Sequence, residues 1–268
     1  MSGPNEIAAS PRVHLAGGYS QEQSAQVGRL ERLPKWLNLI PMIGQWVWLS
    51  MKHGSWTLPA AANPQIMAGG MVGERKSEYF RIMGPLASAH VAEFSLLRNS
   101  RGPSILKDAE QAMADAGLSY PLILKPDIGW CGFGVRIVRD RAEMASYLAS
   151  YPAGEDIMLQ QFVPYEGEAG LYYTRWPDEP KGRITGILLR FFPRVVGNGH
   201  STISELMEQN PRARRLGRDR RSEPCCDVSR IPAAGEIVRL SVTGSTRVGG
   251  LYEDASSLVT PELENAID

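Results

Sequence analysis

The sequence has few of the residue types that define several common classes of protein. Its 268 residues include only 3 cysteines, two of them adjacent at Cys225 and Cys226, so they cannot form a disulfide framework, and no Cys/His spacing suits zinc. Lys plus Arg and Asp plus Glu both number 29, so no net charge attracts nucleic acid or an anionic membrane. The 4 histidines are scattered and form no pattern with a nucleophile. We expect a cytoplasmic protein that binds no nucleic acid.

The sequence also lacks an uninterrupted apolar run. The most apolar stretch, LPKWLNLIPMIGQWVWLSM at 33–51, is broken by Asn38, Pro41, Gly44 and Gln45, whereas a spanning helix needs about 20 mostly apolar residues. We expect no stable membrane insertion and a helix pair packed against the main body. The alternative is interfacial anchoring through Trp36, Trp46 and Trp48.

Length and composition allow a substantial core, and the pattern of helices and strands indicates an α+β protein. The chain is 43% hydrophobic and 22% charged, enough for one large domain or two lobes. The first residues, MSGPNEIAASPR, lack the apolar region of a secretory signal. Helical patterns occur at 74–83, 104–117 and 140–150, and strand patterns at 169–174, 183–192 and 236–243. We divide the chain into four segments. They are a disordered or loosely attached tail at 1–33, a helical region with a linker at 34–110, a small lobe at 111–162 and a larger lobe at 163–268.

The segment YPLILKPDIGWCGFGVRIV at 120–138 carries the strongest chemical signal. An apolar run ends in Lys125, and Gly129, Gly132 and Gly134 would let backbone N–H groups approach a phosphate. A Walker loop needs its lysine after the glycines, and a Rossmann fingerprint needs a helix where VRIV predicts a strand. We predict a β-hairpin at a nucleotide site. The alternative is an ordinary hairpin with a solvated lysine.

Two later segments have features that fit a nucleotide site. In IMLQQFVPYEGE at 157–168, a strand and its connector can present backbone groups to an adenine edge, and an acid that follows can accept from ribose hydroxyls. Gln161 and Glu168 fit these positions. In RVVGNGHSTISEL at 194–206, Ser201 or Thr202 is expected to cap a helix that begins near Ile203.

Taken in this order, the segments resemble the ATP-grasp superfamily of carboxylate–amine ligases, of the cyanophycin synthetase and D-alanine:D-alanine ligase type. VVGNGHSTISEL and VRLSVTGSTRVGGLYEDASSLVTPEL at 238–263 carry the resemblance furthest. It implies two α+β lobes with the nucleotide between them. It also implies phosphate binding by Lys125 and the glycine loop, adenine binding by Gln161, Phe162 and Val163, and ribose binding by Glu168. Lys76 would be a second phosphate lysine, or else a solvated surface lysine.

The resemblance implies that ATP activates a small carboxylate as an acyl phosphate, which an amine then attacks. Arg247, in STRVGG, is the candidate for the reacting groups because arginine binds carboxylate and phosphate bidentately. The arginine run RARRLGRDRR at 212–221 is expected to be a solvated helix or loop.

Magnesium is implied as well, held by an acid and a Glu-x-Asn element on a late strand pair. The sequence has no such element before Asp268, so we expect the larger lobe to be incomplete and the ligands to lie beyond this chain. Glu253 and Asp254 are expected to form a polar turn. The alternative function is a nucleotide-binding pseudoenzyme or partner subunit without its own metal site.

Overall fold

The computed structural model describes residues 27–70, 73–129, 132–219 and 222–268. They form two compact units. The first contains the described residues between 27 and 162, together with Asp219 and residues 222–225, and the second contains residues 163–218 and 226–268. Both units combine helices with antiparallel sheets, which confirms the predicted α+β class. The functional roles of the four predicted segments stay a prediction.

The first unit contains six α-helices and four strands among its described residues. In chain order they are α1 (Arg29–Arg32), α2 (Lys35–His53), α3 (Lys76–Ile82), α4 (Pro85–Ser88), β1 (Phe94–Arg98), α5 (Ile105–Asp115), β2 (Leu122–Pro126), β3 (Arg136–Val138), α6 (Arg141–Ser150) and β4 (Asp156–Gln161). The predicted helices at 74–83, 104–117 and 140–150 are confirmed by α3, α5 and α6. The last begins where Asp140 accepts a hydrogen bond from the Glu143 N–H at 2.8 Å.

The four strands of the first unit form one antiparallel sheet in the order β1-β4-β2-β3. Side chains alternate between the two faces of a strand, so Leu122 and Leu124 share one face and Lys125 lies on the other. Both leucines are fully buried. They belong to a core that α5 and α6 cover with Ala109, Met113, Met144, Tyr147 and Leu148. The opposite face carries Ile123, Lys125 and Gln160.

The apolar segment near the amino terminus differs from the prediction. It forms a single helix, α2, which continues through Pro41 and ends at Gly54 with φ 64°. Its apolar side chains are largely exposed, so the predicted helix pair packed against the body is wrong. A proline removes one backbone hydrogen bond without always ending a helix. Within the predicted tail at 1–33, Arg29–Arg32 form the helical turn α1, which has no buried residue, so its loose attachment stays a prediction. Residues 1–26 lie outside the described residues.

No helix in the ranges that the structure describes is long and apolar enough to cross a membrane.

The second unit contains five strands and three α-helices. They are β5 (Gly167–Thr174), β6 (Arg183–Phe191), β7 (Arg194–Val196), α7 (Ile203–Gln209), α8 (Arg214–Arg218), β8 (Ile237–Arg239), β9 (Leu251–Asp254) and α9 (Pro261–Ile267). The strands form an antiparallel β5-β6-β9 sheet and a β7-β8 pair. The three predicted strands and the helix near Ile203 are confirmed. Thr202 and Glu205 form a capping box at that helix.

Glu253 and Asp254 form no turn, contrary to the prediction. They lie in β9, opposite Leu189 and Leu188 of β6. The neighbouring glycines favoured a turn in the sequence, but pairing with β6 extends the chain at this point. The position of a distant strand therefore decides the local conformation.

Candidate functional site

The glycine-rich segment of the first unit is the tip of a β-hairpin, as predicted. β2 and β3 pair from Leu122 opposite Val138 to Leu124 opposite Arg136. The tip needs glycine for two reasons at Gly134: its φ is 70°, and a Cβ there would lie 2.9 Å from Pro126 Cγ. The described part of the tip therefore packs its backbone directly against the end of β2.

Lys125 lies on the face of the sheet opposite the core that α5 and α6 cover. Its Nζ donates to Gln160 Oε1 at 2.5 Å and lies 5.9 Å from the centre of the Phe80 ring. Gln160 Nε2 donates to the Ala92 carbonyl at 3.0 Å, which orients the amide so that its oxygen is directed to the lysine. Sequence reasoning selected Gln161 and missed Gln160. Strand alternation, which places Gln160 on the lysine face, is the signal that could have found it.

Lys76 reaches the same end of β2 from a different part of the chain. Its Nζ donates to the carbonyls of Pro126 at 3.2 Å and Asp127 at 3.1 Å. A Cβ on Gly129 would lie 3.2 Å from this Nζ, so the glycine leaves room for the ammonium group. Burial lowers the pKa of Lys76, and the charges of Asp127 and Glu74 act in the opposite direction. The alternative of a solvated surface lysine is therefore wrong.

A buried carboxylate joins α3 to the hairpin. Asp127 is 1% exposed and accepts hydrogen bonds from the Ser77 N–H at 2.9 Å and the Ser77 hydroxyl at 2.8 Å. Arg75 Nη1 lies 3.3 Å from Asp127 and 2.7 Å from Asp156, and these carboxylates raise its pKa. The sequence analysis missed this cluster, because Ser77 and Asp127 are 50 residues apart.

The three predicted adenine residues lie where the first unit ends and the second begins. Gln161 is the last residue of β4, and its backbone N–H donates to the Glu93 carbonyl at 2.8 Å. That N–H is therefore already engaged, and an adenine contact at Gln161 would need its carbonyl or side chain. Phe162 is half-buried, and Val163 is 45% exposed. Their contact with adenine stays a prediction.

The predicted ribose acid is part of an ion pair in the second unit. Glu168 of β5 lies opposite Arg190 of β6, and Glu168 Oε2 lies 3.4 Å from Arg190 Nε. A Cβ on Gly244 would lie 3.3 Å from Glu168 Oε2 and 3.1 Å from Arg190 Cβ. Glu168 is thus held between a cation and a loop backbone, and Arg190 is a residue that sequence reasoning missed. The ribose role of Glu168 stays a prediction.

Arg247 lies in a single 3-10 turn, Thr246–Val248, whose backbone is fixed from both sides. The Ser245 hydroxyl accepts from the Arg247 N–H at 3.3 Å. Arg215 Nη1 donates to the Thr246 carbonyl at 3.0 Å. The turn is thus attached to the segment that contains the arginine run.

The arginine run was predicted to be a solvated helix or loop. This prediction is wrong for part of the described run. Arg212 is only 4% exposed, and its Nη1 donates to the Gly250 carbonyl at 2.8 Å. A Cβ on Gly249 would lie 2.3 Å from the Arg212 carbonyl oxygen. The close backbone approach at Gly249 allows the guanidinium to reach its acceptor, and charge density in the sequence gives no sign of it. Arg220 and Arg221 lie outside the described residues.

Candidate metal ligands do not cluster in threes within the part of the chain that the structure describes. No group of three His, Cys, Asp or Glu side chains within the described ranges is placed to hold a metal ion. Glu253 and Asp254 are successive residues of a strand and point to opposite faces. Asp254 Oδ1 also accepts from the Ser256 N–H at 2.9 Å and the Ser256 hydroxyl at 2.5 Å.

The chain is similar in sequence to ligases of the ATP-grasp superfamily, which confirms the resemblance predicted above. Over 177 residues it is 27% identical to the cyanophycin synthetase of Trichormus variabilis, in a match that covers 59% of this chain and 19% of that protein. Over 149 residues it is 28% identical to the glutathione biosynthesis bifunctional protein of Streptococcus mutans, covering 52% of this chain and 19% of that protein. The chain therefore matches about a fifth of the length of these relatives.

No family model matches the chain. Among solved structures, the bifunctional glutathione synthetase of Pasteurella multocida is 16% identical, with a TM-score of 0.29, covering 68% of this chain and 26% of that chain.

Proposed function

We propose that the chain binds ATP as part of a ligase that activates a carboxylate for attack by an amine. The sequence similarity to ATP-grasp ligases supports the class of reaction. The observation that supports the proposal for this chain is that Lys76 Nζ and Lys125 both lie at the end of β2 from which the glycine tip continues. Two cationic groups and exposed loop N–H groups are what a triphosphate requires.

Each predicted residue has a role in this proposal. Lys76 and Lys125 hold the phosphates together with Gly129, Gly132 and Gly134. Gln161, Phe162 and Val163 contact adenine, Glu168 accepts from the ribose hydroxyls, and Arg247 orients the carboxylate and the γ-phosphate. The cations stabilise the negative charge that spreads over the transferred phosphoryl group.

The proposed reaction has two steps. A carboxylate oxygen attacks the γ-phosphorus, the bond to the β,γ-bridging oxygen breaks, and ADP leaves. The amine then attacks the acyl carbon, loses a proton, and displaces inorganic phosphate, which leaves a new C–N bond.

The test is formation of ADP by the full chain with ATP, magnesium and a panel of carboxylates and amines. Repeated turnover to ADP that requires both a carboxylate and an amine, with phosphate released in equal amount, supports the ligase. Binding of ATP without ADP formation with any pair would favour the nucleotide-binding pseudoenzyme instead.

Lys76 should make ATP binding depend on pH. Burial lowers its pKa in the free protein, whereas a phosphate near Nζ favours the charged form and raises the pKa again. Between these two pKa values the complex holds more protons than the free protein, so binding should take up protons there and weaken as the pH rises. Calorimetry in two buffers of different ionisation enthalpy measures this uptake.

The matched variant for this prediction is Lys76→Arg. A guanidinium keeps its charge over the accessible pH range, so the variant should bind ATP without the proton uptake assigned to Lys76. Unchanged proton uptake in Lys76→Arg would contradict the assignment.

A further inference from the structure

Helix α2 carries an exposed apolar stripe that the proposed ligase site does not use. Trp36, Ile40, Ile43, Val47 and Met51 follow one another at intervals of three or four residues, which places them on one face of a helix. Their exposed fractions are 63%, 52%, 55%, 37% and 66%. Five large apolar side chains in a continuous exposed stripe indicate a face that is covered by something else.

The opposite face of α2 carries a narrow polar stripe. Asn38, Gln45 and Lys52 follow at intervals of seven residues, about two helical turns, and so lie in a second stripe. The helix is therefore amphipathic along its whole length. A helix of this kind can lie flat at a boundary between an apolar and an aqueous phase.

The charge pattern around α2 identifies the class of surface that fits it. From Arg32 to Gly73 the sequence contains no Asp or Glu, whereas Lys and Arg occur at both ends of the helix, as Arg32, Lys35 and Lys52. A second copy of the chain would bring these cations together without a carboxylate from the same segment to pair with them. An anionic surface would attract both ends.

Tryptophan placement agrees with a lipid interface. Lys52 Nζ lies 5.1 Å from the centre of the Trp48 ring, so the cation sits directly beside an aromatic side chain. Trp48 is 55% exposed, and Trp56, just beyond the helix, is 63% exposed. Tryptophan rings favour the headgroup level of a bilayer, where their apolar body and polar N–H are both accommodated.

We propose that α2 binds the surface of an anionic lipid membrane, with its apolar stripe directed to the acyl chains and Lys52 to the headgroups. The helix lies in the plane of the interface and does not cross it. The attachment is peripheral and depends on salt, because it combines apolar burial with attraction between opposite charges.

The experiment is flotation of the full chain with vesicles of phosphatidylcholine, alone or mixed with phosphatidylglycerol. We expect the chain to float with the mixed vesicles at low salt, to float less at high salt, and to show a blue shift of tryptophan fluorescence when bound. Lys52→Gln should weaken binding to the mixed vesicles about fivefold, and leave binding to phosphatidylcholine alone unchanged.

Two variants with the same change in charge separate the two faces of the helix. Ile43→Glu, in the apolar stripe, should weaken vesicle binding by roughly tenfold or more, since it replaces a large apolar side chain with a charge. Gln45→Glu, in the polar stripe, adds the same charge and should lose only about fivefold. Met51→Gln serves as a second stripe variant without a change in charge, and circular dichroism verifies that each variant is folded.

Three results would overturn the proposal. The first is a chain that does not float with the mixed vesicles at low salt. The second is an equal loss of binding in Ile43→Glu and Gln45→Glu. The third is an oligomer that light scattering detects and that Ile43→Glu dissociates, together with no binding of either the unaltered chain or the variant to vesicles. The stripe would then be covered by a second copy of the chain.

Discussion

Replacing Asp127 with alanine should lower the free energy of unfolding of the first unit by about 2–4 kcal/mol. The carboxylate is buried and accepts from the Ser77 N–H and hydroxyl at 2.9 and 2.8 Å. Removal leaves both Ser77 donors buried without an acceptor, and a buried unsatisfied donor costs about 1–3 kcal/mol. Arg75 retains its ion pair with Asp156 at 2.7 Å, so the charge of its guanidinium group still has a partner. Urea unfolding followed by circular dichroism measures the loss.

Asp115→Ala is the matched control for this prediction. Asp115 is exposed at the end of α5. Its side chain accepts a hydrogen bond from Gln111. The same chemical change there should cost no more than about 0.5 kcal/mol. Equal effects of the two substitutions would show that the Asp127 cluster does not hold α3 to the hairpin.

Lys125→Ala should weaken ATP binding by about 1.5–3 kcal/mol, the range of a hydrogen bond to a charged group, or roughly 10- to 150-fold in Kd. The lysine is positioned by Gln160, whose amide is itself fixed by the Ala92 carbonyl. Loss of the side chain removes an oriented cation, not a flexible one, so little compensation is expected from neighbouring groups. Calorimetric titration with ATP measures the change.

The control is Lys107→Ala, which removes an exposed lysine of α5 and the same amount of charge. We expect ATP affinity to be unchanged in this variant. If Lys125→Ala binds ATP as tightly as the unaltered chain, the hairpin does not hold the phosphates.

Local sequence signals predicted the hairpin and most of the elements around it. The apolar run before Lys125 and the β-branched run after Gly134 specify two strands, and the glycines between them allow the tight packing against Pro126. The helix at Ile203 was predicted in the same way from a cap at Ser201 or Thr202, and Thr202 is the residue that caps it. These elements are specified by residues close to one another in the sequence.

Such local signals do not predict contacts between residues that are distant in the sequence. The partner of Asp127 is 50 residues away, and the acceptor of Arg212 is 38 residues away. Glu253 lies in a strand because it pairs with β6, although the residues next to Glu253 in the sequence favour a turn. The failed predictions for Arg212 and Glu253 therefore share one cause, since each depends on an element that is remote in the sequence.

The error at α2 has a different cause. Pro41 and Gly44 indicate a break, and their apolar neighbours indicate burial, yet the helix is continuous and exposed. Periodicity identifies which face of a helix is apolar. It does not identify the surrounding medium or the partner that covers this face.

A calorimetric series with adenosine, AMP, ADP and ATP on the full chain tests most directly whether the end of β2 holds the triphosphate of ATP. We predict that affinity rises with each added phosphate and that most of this increase disappears in Lys125→Ala. No measurable binding of ATP, or an affinity for adenosine equal to that for ATP, would contradict the claim.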